Sequence, residues 1–550
     1  MPKIRNTLAK NICHMNSIKF PLIIGIQAFL LFVGFMPLLL WNISWLTSGV
    51  NDDMVQNYIG WNYFRHSKWE IPLGANPSYG LDISNSIVYS DSIPIMAIPL
   101  EVISPILGTT FQYFGFWLLI CFIMHAVYSW KILLLFSKST SVLLGGTIIS
   151  LFTPVFLFRV NLHLALSSQF FILIAIFYYI RGAIRFPSRK WSILLALVLL
   201  VHFYLFVMVA LIWFISLIRD VTQVRSLKRP SRHVLSVITC IVILAYLSGY
   251  FVLGNQAEGS VNYGVFRWNL ASPFNPDGWS LFFNHLLSSD GNAEGFSYLG
   301  LGVLLLGAIF VRVSSQNMSK LKMQVARHFP LCILLLFCGL FAASNNLAIA
   351  NFRFTYELPS SLVDLFSILR SSGRMIWPLV YFAIVFIFAF LAKNLPSKKL
   401  SILILLSTLL QVIDTYPGWQ GVSLPSREPV ERLILYSNKW NELGSQYTKI
   451  RIIPISNENS NWPYIGVVGS DLGMKTNAVY VSRFKKKEIE DSATTTIKAL
   501  QTGNLAPDTL YIVNDSQLKS FEASFAKSQI NSIRIDGLNV IYKVSKQDSE

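Results

Sequence analysis

Charge is scarce in this chain. Asp, Glu, Lys and Arg make up 13% of its 550 residues and hydrophobic residues 53%, whereas soluble proteins carry roughly 25% charged residues. That shortage excludes an ordinary cytosolic enzyme. Acids are scarcer than bases, giving a formal charge of +17, and a basic excess invites a nucleic-acid reading. Its position argues otherwise: residues 1–415 hold 29 Lys and Arg against 14 Asp and Glu, and residues 416–550 hold 16 against 14. The excess belongs to the apolar part, where membrane topology accounts for it, so no nucleic-acid partner is expected. Cysteine is equally sparse. The five residues Cys13, Cys121, Cys240, Cys332 and Cys338 form neither a disulfide framework nor a zinc-type spacing. Internal repeats and low-complexity tracts are missing as well. No small-residue cleavage site follows the first apolar run, so Pro21–Trp41 is read as a retained helix and not a signal peptide.

What the chain does have is long apolar runs, such as 21–41, 191–218 and 234–254. Crossing a bilayer as a helix takes roughly 17 to 25 such residues. Further runs lie near 111–136, 140–158, 164–180, 297–313, 329–345, 376–392 and 400–415. With the N-terminus (Lys3, Arg5, Lys10, Lys19) in the cytoplasm, alternation puts 22 basic residues inside. Seven lie outside before residue 416: Arg65, Lys68, Arg159, Arg267, Arg353, Arg370 and Arg374. This is the asymmetry of the positive-inside rule. Residues 191–218 lie between two basic loops, which predicts two short helices turning around His202-Phe203-Tyr204. The Pro-rich stretch Ile93–Leu107 is too short to span and is assigned to the outer interface. The sum is an all-α polytopic membrane bundle of about eleven transmembrane helices over residues 1–415, with outer loops 46–110, 255–296 and 346–375.

After Asp414 the composition changes. TYPGWQGVSLPSREP reads as a linker, followed by β-rich runs (449–455, 478–484, 509–513, 532–544) alternating with helical stretches (491–502, 515–527). Asp515 and Ser516 are candidate N-caps. Residues 416–550 are therefore expected to form a small soluble α/β domain on the periplasmic side.

Almost all acids of the apolar part fall in the outer loops, with Asp220 the clear exception. An acid at that level can act as a base, and an arginine can hold a phosphate. The first outer loop opens on Asn51-Asp52-Asp53. If the following MVQNYIGWNYF is helical, Asp53, Gln56, Asn57 and Gly60 share a face. A plain capping role for Asn51 or Asp52 fits the same residues. The loop continues through YGLDISNSIVYSDSIP, with Asp82 and Asp91. The third outer loop ends at Glu294 in EGFSYLG, and the fourth in LRSSGRMIWP.

The segments GW.YFR…W..PLG, SIVYSDSIP, FQYFGFW, EGFSYLG and SSGRMIWP, over roughly residues 20–415, resemble a largely uncharacterised bacterial family of GT-C-like membrane proteins. More broadly, a first helix, a long outer loop opening on an acidic pair and a C-terminal outer domain resemble the GT-C superfamily of membrane glycosyltransferases. The resemblance implies transfer of a hexose from a polyprenyl-phosphate-linked donor to a glycan or glycolipid acceptor at the periplasmic face of the bacterial inner membrane. It makes a first-loop acid, Asp53 or Asp52, the general base. No second acidic pair of the metal-binding kind is present, so no cofactor is assigned and a divalent metal is left open.

Arg374 and Arg370, just before an apolar run, are candidate donors to the carrier phosphate, although headgroup anchoring fits them equally well. Arg159 and His163 in FRVNLHLALSS form a second candidate pair. Glu294, Asp91, His202 and Tyr204 are candidate substrate contacts. Glu294 could equally cap the next helix, and His202 and Tyr204 could serve freed backbone groups at their turn. His125 is expected to make an interhelical hydrogen bond, and the tryptophans 41, 45, 61, 69 and 279 an interfacial belt. A transporter or flippase, or a polymerase of lipid-linked saccharides, is the competing reading. Transporters usually show internal repeats and charges within helices; here the ionisable residues crowd the outer ends.

Overall fold

The computed structural model describes residues 18–47, 52–160, 162–182, 189–224, 228–254, 258–259, 262–286, 293–427, 436–457, 459–480, 483–525 and 529–544. Lys3, Arg5, Lys10, Cys13, Asn51, Arg185 and Arg225 lie outside these residues, as do the side chains of Asp52, Asp220, Lys228 and Arg229. The chain divides into two compact units. The first comprises 1–39, 113–241 and 261–428; the second comprises 40–112, 242–260 and 429–550.

The first unit is helical. Phe114–Leu133, Thr140–Leu151, Phe170–Arg181, Leu301–Gln316, Trp377–Asn394 and Ser397–Asp414 pack in pairs around an apolar core that includes Trp130, Val142, Val303, Phe388 and Ile404. His125 Nε2 bonds Ser150 Oγ at 3.0 Å, an interhelical tie of the kind expected. Run 191–218 is broken as predicted: helices Arg189–Leu199 and Phe203–Val224 pack on each other. After helix Phe329–Ala343 the chain forms an antiparallel hairpin, Asn346–Ile349 with Phe352–Thr355, then a short helix, Ser360–Phe366.

The expected count of about eleven crossings, and with it the GT-C-like bundle, is overturned by the helix lengths. Among the described residues, Phe114–Leu133 and Ser372–Asn394 are each long and apolar enough to cross a membrane. Three pairs bent by 49°, 105° and 56° raise the number to five if each pair is one span. The other apolar helices have 10–17 residues. At about 1.5 Å per residue most of these fall short of a hydrocarbon core about 30 Å thick. Hydropathy overcounts because buried turns avoid water as well as helices do. The run 21–41 leaves its helix at Phe32, passes Gly34 at a φ of 85° and enters a 3-10 turn, Met36–Leu38. A helix-bearing chain with a few segments able to cross a membrane is what stands. The expected linker is also corrected: Tyr416–Arg427 is helical.

The second unit is built on a five-stranded sheet of β1 (Lys449–Ile452), β2 (Lys475–Thr476), β3 (Thr509–Val513), β4 (Ile530–Ile535) and β5 (Leu538–Lys543), in the order β2-β1-β3-β5-β4. β2, β1 and β3 run parallel, and β5 and β4 add an antiparallel hairpin. The single run expected over 532–544 is two strands joined at Asp536-Gly537, both at positive φ (50° and 82°), the backbone an Asp-Gly hairpin turn demands. Helix Asp515–Phe525 is capped one residue earlier than expected. Asn514 Oδ1 accepts the Gln517 N–H at 2.8 Å, and Gln517 Oε1 accepts the Asn514 N–H at 3.1 Å, a reciprocal capping box.

The first loop belongs to this unit. Residues Asp52–His66 are helical, which meets the condition set on MVQNYIGWNYF, and the helix packs on helix Trp462–Asp471. Val55, Ile59 and Tyr63 join Trp440, Trp462, Ile465 and Leu510 in one core. Helix Pro94–Val102 and the following 3-10 turn leave Val102, Ile103 and Ile106 exposed.

Candidate functional site

In the first unit, four chain segments end or break at one polar cluster. Arg159 closes the short helix Pro154–Val160, and His163 lies in the turn after it. His202 and Tyr204 occupy the break at 200–202 and the start of the next helix. Glu294 sits in the 3-10 turn Ala293–Gly295, and Arg374 in the 3-10 turn Ser372–Ile376. Arg374 grips Glu294 with two bonds, Nε to Oε2 at 2.6 Å and Nη2 to Oε1 at 2.7 Å. Arg159 Nη1 reaches Oε2 at 3.0 Å, and its Nη2 donates to the carbonyls of Ala293 and Glu294 at 3.2 and 3.1 Å. His163 Nε2 is 3.6 Å from Glu294 Oε1 and 3.4 Å from Arg374 Nη2.

The glycines of the two motifs make this convergence possible. A Cβ on Gly295 would lie 2.5 Å from the Trp268 Cα, and one on Gly373 would lie 2.7 Å from the Gly295 Cα. Backbone therefore stacks on backbone, which brings the neighbouring Glu294 and Arg374 within bonding range. Trp377 and Tyr204 complete the enclosure. The Arg159 guanidinium lies 5.4 Å from the Trp377 ring and that of Arg374 5.0 Å from the Tyr204 ring, within the reach of cation–π attraction. Burial alone would raise the Glu294 carboxyl, but Arg159 and Arg374 overcome it and hold the group well below the usual carboxylate range.

His202 and Tyr204 are used as their turn requires. The Tyr204 N–H donates to His202 Nδ1 at 3.1 Å, which puts the ring proton on Nε2. The Tyr204 hydroxyl accepts the Ser371 N–H at 2.8 Å, so it fastens the segment leading to Arg374. Arg370 is half-buried and lies near Tyr204. The sequence marks Arg159, His163 and Arg374 as phosphate contacts and His202, Tyr204 and Glu294 as substrate contacts, without placing the two sets together. Sequence reasoning missed Gly295 and Gly373, whose signal was a glycine directly next to the charged residue in each motif.

Asp53 and Asp91 lie in the second unit. Asp53 is half-buried in the first turn of helix Asp52–His66. The amides expected to converge with it serve another purpose. Gln56 Nε2 donates to the Tyr89 carbonyl at 3.1 Å and Asn57 Nδ2 to the Ser90 carbonyl at 3.0 Å, while the Ser92 hydroxyl donates to the Asn57 carbonyl at 2.7 Å. They pin a segment in which Asp91 and Ile93 hold positive φ, 51° and 54°. Asp91 is half-buried near Tyr250. Asp82 pairs with Arg451 of β1. Among the described residues no group of three or more His, Cys, Asp or Glu side chains is gathered to hold a metal.

A family model described as a domain of unknown function, DUF6311, matches residues 22–416, and the DUF6311 C-terminal domain matches residues 439–543. The chain belongs to that family. No curated protein matches it, and neither does any solved structure.

Proposed function

For this member of the DUF6311 family we propose a membrane glycosyltransferase that moves a hexose from a polyprenyl-phosphate-linked donor to a glycan or glycolipid acceptor at the periplasmic face of the bacterial inner membrane. The observation that carries the reading is the buried Arg159–Glu294–Arg374 bridge with His163 beside it. Guanidinium forks match the oxygens of a phosphate, and a carboxylate that fixes both of them holds that geometry in advance. Glu294 is in this view a positioning residue. Arg159 and Arg374 bind the carrier phosphate and stabilise the charge that develops on it as the glycosidic bond breaks. The resemblance makes Asp53, in the other unit, the residue that takes the acceptor hydroxyl's proton.

Mass spectrometry of surface glycolipids from cells with and without the gene tests this. A glycosylated species is expected to disappear on deletion and to return with the wild-type gene. It should stay absent with Arg374→Lys, which keeps the charge but lacks the fork. An unchanged glycolipid profile on deletion would overturn the reading.

A further inference from the structure

The 346–355 hairpin is inside out for a protein in water. Its register pairs Leu347 with Phe354 and Ile349 with Phe352, and Asn346 with Thr355 and Ala348 with Arg353. Cross-strand partners share a face, so one face is wholly apolar. On that face Phe352 is 77% exposed, Phe354 65% and Ile349 49%; on the other, Ala348 is fully buried while Arg353 and Thr355 are exposed. The ribbon is held in this pose. The fully buried Asn269 donates from Nδ2 to the Ala350 carbonyl at 2.7 Å and accepts the Ala350 N–H at 2.9 Å, and the Leu270 N–H donates to the Ala348 carbonyl at 2.9 Å. An isolated two-stranded hairpin is marginal at best in water, and a rigid outward apolar face needs a partner.

Its neighbours indicate which partner. Helix Phe329–Ala343, directly upstream, leaves Phe329, Ile333, Leu336, Phe337 and Leu340 exposed, a single stripe at helical spacing. Helix Ser360–Phe366 is anchored to the end of that helix through Phe366, 5.3 Å from the Phe341 ring and 5.2 Å from Tyr263, and the Tyr263 hydroxyl donates to the Phe341 carbonyl at 2.9 Å. The hairpin is tied there too, through the Tyr356 N–H to the Asn345 carbonyl at 3.0 Å. Leu362 and Leu365 extend the exposed apolar surface. The stripe, the hairpin and the short helix are thus tied together at the end of helix Phe329–Ala343, and their exposed apolar side chains alternate with exposed polar ones, Arg353, Glu357 and Asp364 among them.

We infer that the hairpin is a membrane anchor whose apolar face is covered by acyl chains of the leaflet reached by the end of helix Phe329–Ala343. The inference rests on the membrane reading of this unit and not on glycosyl transfer.

Benzoylphenylalanine placed at Phe352, at Phe354 or, as a reference, at Leu336 in the full chain, irradiated in vesicles of radiolabelled phosphatidylethanolamine and phosphatidylglycerol, tests this. Label is expected on the protein from all three positions. Label from Leu336 alone overturns the anchor and leaves the membrane reading intact. No label from any position removes the membrane reading itself. A crosslinked protein dimer from 352 or 354 without lipid label overturns the anchor in favour of a second copy of the chain.

Discussion

Replacing Glu294 by glutamine keeps the side chain's size and removes the one charge that Arg159 and Arg374 share. The wild-type carboxylate is 15% exposed and meets three guanidinium nitrogens at 2.6–3.0 Å. Removing one partner from a buried ion pair costs about 3–5 kcal/mol, and here the two cations left behind also repel. Arg374→Gln is expected to cost less, about 1.5–3 kcal/mol for its charged hydrogen bonds, because the Arg159–Glu294 pair survives it. The double variant should cost less than the sum of the two. The acid limb gives an independent check. The folded-state value of Glu294 is depressed, so its stabilisation is fully present above the ordinary glutamate value, about 4.3, and is lost as pH falls through the folded value. Equilibrium unfolding of the purified protein in detergent, followed by tryptophan fluorescence, should show a constant gap between wild type and E294Q from pH 7 to pH 5. The gap should narrow below about pH 4.3. A gap under about 1 kcal/mol at pH 7, an E294Q cheaper than R374Q, or narrowing already above pH 5 would refute the shared-carboxylate account.

Gly295→Ala should destabilise the first unit by about 1–3 kcal/mol in the same assay, since its Cβ meets Trp268 backbone that cannot turn aside, and glycolipid product should fall with it. Asp53→Asn is expected to lower product about 10²- to 10⁴-fold with expression unchanged. Asp52→Asn should cost on the order of 1 kcal/mol of stability if its role is capping; loss of product from Asp52→Asn alone would move the base to that residue. Burial pushes the Glu101 carboxyl up to about 7. With a folded value above the unfolded one, its contribution is present at acid pH and lost as pH rises through 7. Glu101→Gln should therefore raise the melting temperature at pH 8 and leave it unchanged at pH 4.

The cluster was legible residue by residue because its members are anomalies against an apolar background. Arg159, His163, Glu294 and Arg374 each stand where a charge is costly, and such residues mark themselves. Their roles were not legible. Glu294 was assigned to substrate and the arginines to phosphate, whereas Glu294 is bound by both arginines, and that follows only from the packing of Gly295 on Trp268 and of Gly373 on Gly295. The amides of Gln56 and Asn57 misled for a related reason. Helical spacing tells which side chains share a face but not what the face meets, and here it meets the carbonyls of Tyr89 and Ser90.

Helix length failed on different grounds. The flanking basic loops predict the turn within 191–218, and locally His202 Nδ1 accepts the Tyr204 N–H that the broken helix leaves over; the run 21–41 gives no such sign, yet its helix ends at Phe32 before the turn at Gly34. Hydropathy records the average environment of a segment, whereas a break depends on one local acceptor. The same local logic assembles the cluster. Arg159 stands in the last turn of Pro154–Val160, His202 at the break 200–202, Glu294 within the 3-10 turn Ala293–Gly295 and Arg374 within the 3-10 turn that opens helix Ser372–Asn394. Breaks gathered in this way leave backbone carbonyls such as those of Ala293 and Glu294 beside a buried arginine in an otherwise apolar unit.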